Sequence, residues 1–516
     1  MALGLPDWSV PLAGWVALVP LLIALRGAAK PLEAMGLGYL AGFVGFFAIV
    51  GWLYSLGPYT GVPLPWGYIA STTGAVMLAG YLALYVMLFA LLVVRFAPRA
   101  GAGYVVGVAV FWTACEWMRS WMLTGFPWGS LGYTQWNFLP AAQLASLGGV
   151  SLVGFLLAVS NAAIAEIWRL HREGGRLVRA TLSWATVVVV ALGYGAVSLW
   201  SDRPSGEGIR VAVVPGNIPQ NVRWSRGSLE SVYEHYLALL QRAVGEKPEL
   251  VVMPETSVML PYLPAEQQAQ FGDFLRSNRV SILFGMPKLS ARGTLREGYN
   301  AAVLMSPDAK VVDEYYKQHL VPFGEYIPFR QFLPRWLTED VIGIADYNFG
   351  PGSNVMTLPR ESGTPLRVGV PICFESVFPN ISREFALGGA NALAVLTNDG
   401  WYDGTSAIGQ HYAIAVFRAI ETRRAVIRAA NRGISAFIEP TGRIQPQRVQ
   451  ATDQEGIIVG WIPLRADRTL FVRVGDWVSA FCVLGTLAFV ALGFRRRVET
   501  SVPAPEAVPT ARRTKH

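Results

Sequence analysis

Charge is what this sequence has least of. Only 15% of its 516 residues are Asp, Glu, Lys or Arg, while 52% are hydrophobic, and mean hydropathy is +0.36. A soluble chain carries nearer a quarter charged residues, so a wholly soluble architecture is excluded and a large membrane-embedded part is expected. Cysteine is equally scarce, with three: Cys115, Cys373 and Cys482. The first and last fall inside apolar stretches, which leaves Cys373 without an obvious disulfide partner and reads it as a free thiol. The sequence has no cysteine pair of zinc-site spacing, no P-loop and no GxGxxG after a strand. The usual carriers of structural zinc, nucleotide phosphate and dinucleotide binding are therefore missing. A tandem repeat of solenoid period is missing too. The net charge of +8 would suit nucleic acid, but many basic residues sit beside apolar stretches, where membrane topology explains them. No nucleic-acid partner is expected.

What is present begins with apolar stretches long enough to span a bilayer, at about 10–25, 35–55, 68–94, 103–123, 143–168, 181–200 and 477–494. Basic residues flank alternate loops: Arg26 and Lys30, Arg95 and Arg99, then Arg169, Arg172, Arg176 and Arg179, with Arg495–Arg497 after the last stretch. The loops between them, Gly57–Trp66 and Thr124–Pro140, carry no Lys or Arg. The positive-inside rule makes the basic loops and the C-terminus cytoplasmic, with the polar block from about 201 to 475 on the opposite side. Seven spans would then put the N-terminus outside, although Met1–Val10 offers no leader with a basic head. Either the protein begins outside or an initial span is missing from this chain, and the second is the expectation. The two uncharged loops are aromatic, with Trp52, Tyr54, Tyr59, Trp66 and Tyr68 in one and Trp121, Phe126, Trp128, Tyr133 and Trp136 in the other. They read either as an interfacial belt or as a lipid-access rim below the soluble block. Glu116 and Arg119 share a helix face, and an ionisable pair inside a membrane is a functional candidate, although Arg119 could also snorkel to the interface.

After a Pro/Gly/Ser linker at Asp202–Gly208 the pattern turns to strands and helices in alternation. Strands are expected at Ile209–Val214, Leu250–Met253, 280–286, 299–305, 310–316, 367–372, 392–397 and 433–438. Helices are expected at Ser228–Val244, 265–277, 377–387 and 406–429. That is a layered α/β domain, followed by a Pro/Ala-rich basic tail after Val498 that reads as disordered.

Three strand ends carry chemistry. VVMPET places Glu255 just past a β-branched run, DEYYKQHLVPFGEYIP places Lys317 at the end of an aromatic strand with Glu325 beyond it, and RVGVPICFES ends a buried strand on Cys373. Taken singly, each has an ordinary alternative: a solvated acid, a surface lysine, a small buried hydrophobe. Together, a carboxylate, an amine and a thiol are what nucleophilic acyl transfer requires.

The ordered Glu, Lys and Cys resemble the nitrilase, or carbon–nitrogen hydrolase, superfamily. The closer resemblance is to the bacterial apolipoprotein N-acyltransferase family, carried by LTGFPWGSLGY (123–133), PGNIPQNVRW (215–224), MPET (253–256), KQHLVPFGEYIP (317–328), PICFE (371–375), NDGWYDGTSAIGQH (398–411) and ETRRAVIRAANRGISAFIEPTGR (421–443). The resemblance implies a multi-pass α-helical membrane bundle joined to an α/β nitrilase-like αββα sandwich. The bundle would occupy 1–200, a periplasmic catalytic domain 201–475, a C-terminal membrane helix 476–497 and a disordered cytoplasmic tail 498–516. It implies Glu255 as general acid/base, Lys317 as oxyanion stabiliser and Cys373 as nucleophile, with Trp224 in an active-site loop, Glu325 positioning Lys317 or the incoming amine, and Glu375 matching the acid two residues past the cysteine. Phe374 stands where many members have Tyr, which leaves a role for its backbone N–H but not for a side-chain hydroxyl. The family usually has eight spans, one more than is read here. The implied reaction passes an acyl chain from a phospholipid to the N-terminal amine of a diacylglyceryl-modified apolipoprotein through a Cys373 thioester, in ping-pong order. The implied enzyme needs no metal or organic cofactor and is a monomer in a bacterial inner membrane. A membrane-tethered amidase of the same triad is the first rival, and a non-enzymatic transporter or scaffold the second.

Overall fold

The computed structural model describes residues 1–202, 207–220, 228–289, 298–332, 347–360, 362–450, 454 and 456–501. Among them, five helices are long and apolar enough to cross a membrane: Pro31–Tyr59, Trp66–Phe96, Ala145–Arg172, Leu177–Ser201 and Trp477–Arg495. They correspond to five of the seven expected spans. The stretch at 10–25 is instead two short helices, Leu12–Val16 and Val19–Gly27. The stretch at 103–123 forms one 19-residue helix, Gly101–Arg119, which carries Glu116 and Arg119 at its end and is not among those five. Small residues let the first two long helices meet: a methyl at Gly38 would lie 2.6 Å from Ala90 Cβ, and one at Gly42 would lie 2.9 Å from Ala83 Cα.

The second half is built on two six-stranded sheets. The first has the order β12-β1-β2-β3-β4-β5, from Ile458–Pro463, Gly208–Val213, Leu250–Val252, Ser281–Leu289, Gly298–Met305 and Val311–Tyr316. The second has the order β11-β10-β9-β8-β7-β6, from Ile444–Gln450, Ser435–Ile438, Ala425–Asn431, Ala392–Asn398, Leu366–Gly369 and Met356–Leu358. Each has three parallel strands flanked by antiparallel ones: β1, β2 and β3 in the first, β7, β8 and β9 in the second. Side-chain alternation explains the layering. Val211, Val213 and Val252 join the core shared with the second sheet, whereas Ala212, Val251 and Met253 point the other way, under the helices Ser228–Gly245 and Ala265–Asn278. On the far side the helices Pro379–Leu387 and Ser406–Thr422 cover the second sheet. The result is a nitrilase-like αββα sandwich.

Two helix ends differ from the sequence reading. The helix expected over 406–429 stops at Thr422, where Arg423 takes a left-handed conformation (φ 53°), and Ala425–Asn431 is the central strand β9, buried throughout. A short apolar run is compatible with either a buried strand or a buried helix, so periodicity alone does not separate them. The last long helix continues to Ser501, and the rest of the expected tail lies outside the described residues.

Candidate active site

Parallel strands in α/β sheets present their carboxyl ends to ligands, and that edge is where the sequence-selected groups meet. Glu255 follows β2 and is buried (7% exposed). It lies against Gly285 of β3, where a methyl group would come within 2.6 Å of the Glu255 Cα, so this approach requires glycine. Lys317 directly follows β5 and its N–H extends the pairing with β4 by bonding the Asn300 carbonyl at 2.8 Å. Cys373 follows β7 after Ile372, which bridges to Leu396 of β8.

The Lys317 side chain is wholly buried, and such an ammonium must be paired. Its Nζ donates to Glu325 Oε1 at 2.9 Å and lies 3.6 Å from Glu255 Oε1. Burial works against its charge, but Glu325 and Glu255 outweigh burial and hold the ammonium well above the ordinary lysine range. Asn300 ties the two acids together, donating from Nδ2 to Glu255 Oε1 at 2.7 Å and to Glu325 Oε1 at 2.8 Å. The other Glu255 oxygen accepts from the backbone N–H of Asn398 at 2.9 Å. Glu255 is therefore fixed from both sheets.

Cys373 sits in a left-handed backbone conformation (φ 52°), strained for a residue with a side chain. Burial first, then the Glu255 charge, lifts its thiol well above the ordinary range, against the pull of Lys317. The sulfur rests as a thiol, so its activation needs a proton acceptor. Glu375 pins the loops of Lys317 and Cys373 together. Its carboxylate accepts from Ile372 N (2.7 Å), Gln318 N (2.7 Å), His319 N (3.1 Å) and Tyr315 Oη (2.8 Å). Burial pushes its pKa up to about 7 despite Lys317 and these donors. Phe374 is half-buried and packs edge-on to Phe378 (5.2 Å between ring centres). Trp224 lies outside the described residues.

The sequence reading assigned no role to Asn300, Asn398 or the polar group beneath Cys373: Ser376, Asp399, His411 and Arg428. NDGWYDGTSAIGQH holds Asn398, Asp399 and His411 and was quoted only for its resemblance. Arg428 was hidden in the stretch read as helix. The bundle also reaches the site. Arg119 does not snorkel. It is buried, donating from Nη1 to the carbonyls of Phe126 (2.5 Å) and Trp128 (2.7 Å), and from Nη2 to Ser130 Oγ (3.0 Å). Glu116 accepts from Leu131 N at 2.7 Å. The loop they shape packs Phe126 near Phe374 (6.3 Å), Trp128 near His411 (5.6 Å), and the Trp128 indole N–H on Gln410 at 2.6 Å. Trp52 joins through Tyr402 (5.2 Å) and Tyr59 through Trp401 (5.3 Å). Part of each aromatic loop thus docks the domain, while Tyr54, Trp66, Tyr68 and Trp121 remain exposed.

Comparison with known proteins covers both halves. Residues 1–163 match the apolipoprotein N-acyltransferase N-terminal domain, and residues 210–468 match the carbon–nitrogen hydrolase family. The chain is similar to the apolipoprotein N-acyltransferase of Geobacter metallireducens, with 34% identity over 96% of this chain and 94% of that one. It is likewise similar to that of Gloeobacter violaceus, with 33% identity over 92% and 89%. Among solved structures, an amidase from Nesterenkonia sp. aligns over 53% of this chain and 94% of its own at 17% identity, with a TM-score of 0.37.

Proposed function

The chain belongs to the apolipoprotein N-acyltransferase family, and we propose that it moves an acyl chain from a phospholipid to the α-amine of an S-diacylglyceryl-cysteine at an apolipoprotein N-terminus. It is a multi-pass membrane enzyme. In this reading the α/β domain faces the periplasm and the C-terminus the cytoplasm, as the basic loops suggest. Glu255 takes the Cys373 proton, and the thiolate attacks the phospholipid ester carbonyl. Lys317 and the backbone N–H of Phe374 hold the oxyanion that forms. When the intermediate collapses, Glu255 returns the proton to the departing lysophospholipid oxygen, leaving a Cys373 thioester. The lipoprotein amine then attacks that thioester, Glu255 accepts the amine's proton, and the sulfur leaves and is reprotonated. Glu325 keeps Lys317 charged and aimed, and Glu375 keeps the Lys317 and Cys373 loops in register.

The observation that carries this reading is the fully buried Lys317 paired with Glu255 and Glu325 beside a thiol held on a left-handed turn. Intact mass tests it. Wild-type protein in detergent micelles gains one acyl mass from phospholipid, hydroxylamine removes it, and a diacylglyceryl-cysteine peptide discharges it into amide. Cys373→Ala shows no adduct. Glu255→Gln slows its formation by about 10²–10⁴-fold, the usual contribution of a general acid/base. Steady fatty-acid release with no acyl gain by the peptide would mean a hydrolase instead.

A further inference from the structure

Beneath Cys373 lies a chain of polar groups to which the reaction steps above assign no part. The Cys373 carbonyl accepts from Ser376 Oγ at 2.9 Å and lies 3.2 Å from His411 Nε2. Ser376 Oγ and His411 Nε2 are themselves 2.8 Å apart. A carbonyl oxygen can only accept, so Nε2 carries a proton, shared between Ser376 Oγ and the carbonyl, while Ser376 gives its own proton to the same carbonyl. The rear of the ring is clamped. Nδ1 lies 3.0 Å from Asp399 Oδ1 and 3.1 Å from Arg428 Nη2. Asp399 also accepts from Thr397 Oγ1 (2.8 Å), Tyr402 Oη (3.1 Å) and Arg428 Nη2 (2.8 Å). Arg428 and His411 hold Asp399 well below the usual carboxylate range, against burial. Ser376, Asp399, His411 and Arg428 are all fully buried.

We propose that Ser376 and His411 are positioning residues that polarise the Cys373–Phe374 peptide and so strengthen its N–H as the oxyanion donor. The inference rests on the reading that gives that N–H this task. Donors placed on an amide oxygen draw electron density from the nitrogen, and hydrogen bonds in series reinforce one another. Here the series runs from Asp399 and Arg428 through His411 and Ser376 to the carbonyl. It ends on the N–H of the same peptide, one bond from the nucleophile's own residue. The dry surroundings keep water from competing for the carbonyl, which preserves the effect. The same contacts hold the left-handed turn at Cys373, so the test must separate polarisation from support.

Alkylation by iodoacetamide makes that separation, because it consumes the same thiolate without forming an oxyanion. In full-length protein in phospholipid-containing micelles, Ser376→Ala and His411→Leu are expected to slow both thioester formation and its aminolysis by about tenfold. Cys373 alkylation is expected to stay within about twofold of wild type, since no oxyanion forms there. His411→Gln, whose amide nitrogen falls where Nε2 was, should recover most of the loss. In the accumulated acyl-enzyme, the thioester carbonyl stretch should move to higher frequency in Ser376→Ala. Ser376→Ala removes a single hydroxyl and carries the test if His411→Leu does not fold. Unchanged acylation, or alkylation that falls in parallel with it, would overturn the proposal. Absence of any thioester in the wild-type protein would instead defeat the functional reading itself.

Discussion

The two halves of the sandwich are built alike but end in different surroundings. In the first, the helix Ser228–Gly245 joins two parallel strands and buries one stripe, Tyr233, Tyr236, Leu239, Leu240 and Ala243, leaving its other face to water. In the second, Ser406–Thr422 joins β8 to β9 in the same way, yet every residue from Gln410 to Thr422 is buried. Its outer face meets the bundle. Tyr133 packs edge-on to Phe417 (5.2 Å), Trp136 to Tyr412 (6.0 Å), Arg418 donates to Tyr133 Oη (3.1 Å), and the Val150 N–H bonds Glu421 (2.9 Å). One layer of the sandwich is thus sealed by membrane helices rather than by solvent. The seal also delivers Phe126 beside Phe374 and Trp128 beside His411. The bundle is thus a wall of the candidate site as well as an anchor.

The largest effect should come from breaking that seal. Arg418 and Glu421 form a pair in which both partners are fully buried, 3.0 Å apart. Arg418→Ala leaves Glu421 without its cation in a dry interface, and removing one partner of such a pair typically costs about 3–5 kcal/mol. The Glu421 carboxyl, already pushed up to about 7 by burial, would then bind a proton near neutral pH. The apparent melting temperature in micelles should fall by many degrees. The double change Arg418→Leu with Glu421→Met should fall much less, since no charge is stranded. Arg242→Ala on the water-facing helix, an exposed position, should shift stability by no more than about 0.5 kcal/mol. Equal losses at Arg418 and Arg242 would erase the distinction between the halves.

A second test leaves the seal intact and loosens only what it delivers. Arg119 holds the carbonyls of Phe126 and Trp128 with one guanidinium nitrogen. Arg119→Lys keeps the charge but not the planar fork. The Phe126–Ser130 segment should drift, and a misplacement of about 1 Å at a site wall can cost up to about 10²-fold in rate. Acyl-enzyme formation is the measurement. Arg169→Lys, at the opposite end of the bundle among Glu166 and Glu173, should leave it unchanged. If both variants react at the wild-type rate, the bundle anchors the domain without shaping the site.

How much of this was legible depended on where each signal lay along the chain. Glu255, Lys317 and Cys373 stand out because each follows a recognisable strand, so local pattern and chemistry coincide, whereas Glu325 and Glu375 took their assignments from the family resemblance. The clamp around His411 does not stand out, because its members come from four separate segments and become neighbours only through β8 and β9. Once Ala425–Asn431 had been merged into a helix, Arg428 had no strand from which to reach Asp399. Strand β12 was missed for a related reason: it closes the first sheet by pairing with β1 from some 250 residues away. β11 carries Pro446 in a polar run and resembles a loop, a composition that only an edge strand accepts. Arg119 was singled out as an intramembrane charge, but its task follows from carbonyls in a loop whose path no periodicity encodes.

The smallest effect concerns His319, which packs among the aromatic rings next to Cys373. Its ring packs 3.8 Å from that of Phe378 and 5.9 Å from that of Phe374. Burial first, then Lys317, lowers its pKa to about 4, against about 6.5 in an unfolded chain. A group depressed on folding contributes stability that is fully present above the unfolded value and is lost as pH falls through the folded one. The relevant window therefore runs from about pH 6.5 to about pH 4. Wild-type protein should lose stability across it both from this imidazole and from its paired carboxylates. His319→Gln should lose only the carboxylate part. The gap in apparent melting temperature between wild type and His319→Gln should thus narrow by roughly a few degrees on acidification. A gap that stays constant from pH 7 to pH 4 would mean that His319 is as free to take a proton in the folded protein as in the unfolded chain, and that the aromatic packing around it is open to water.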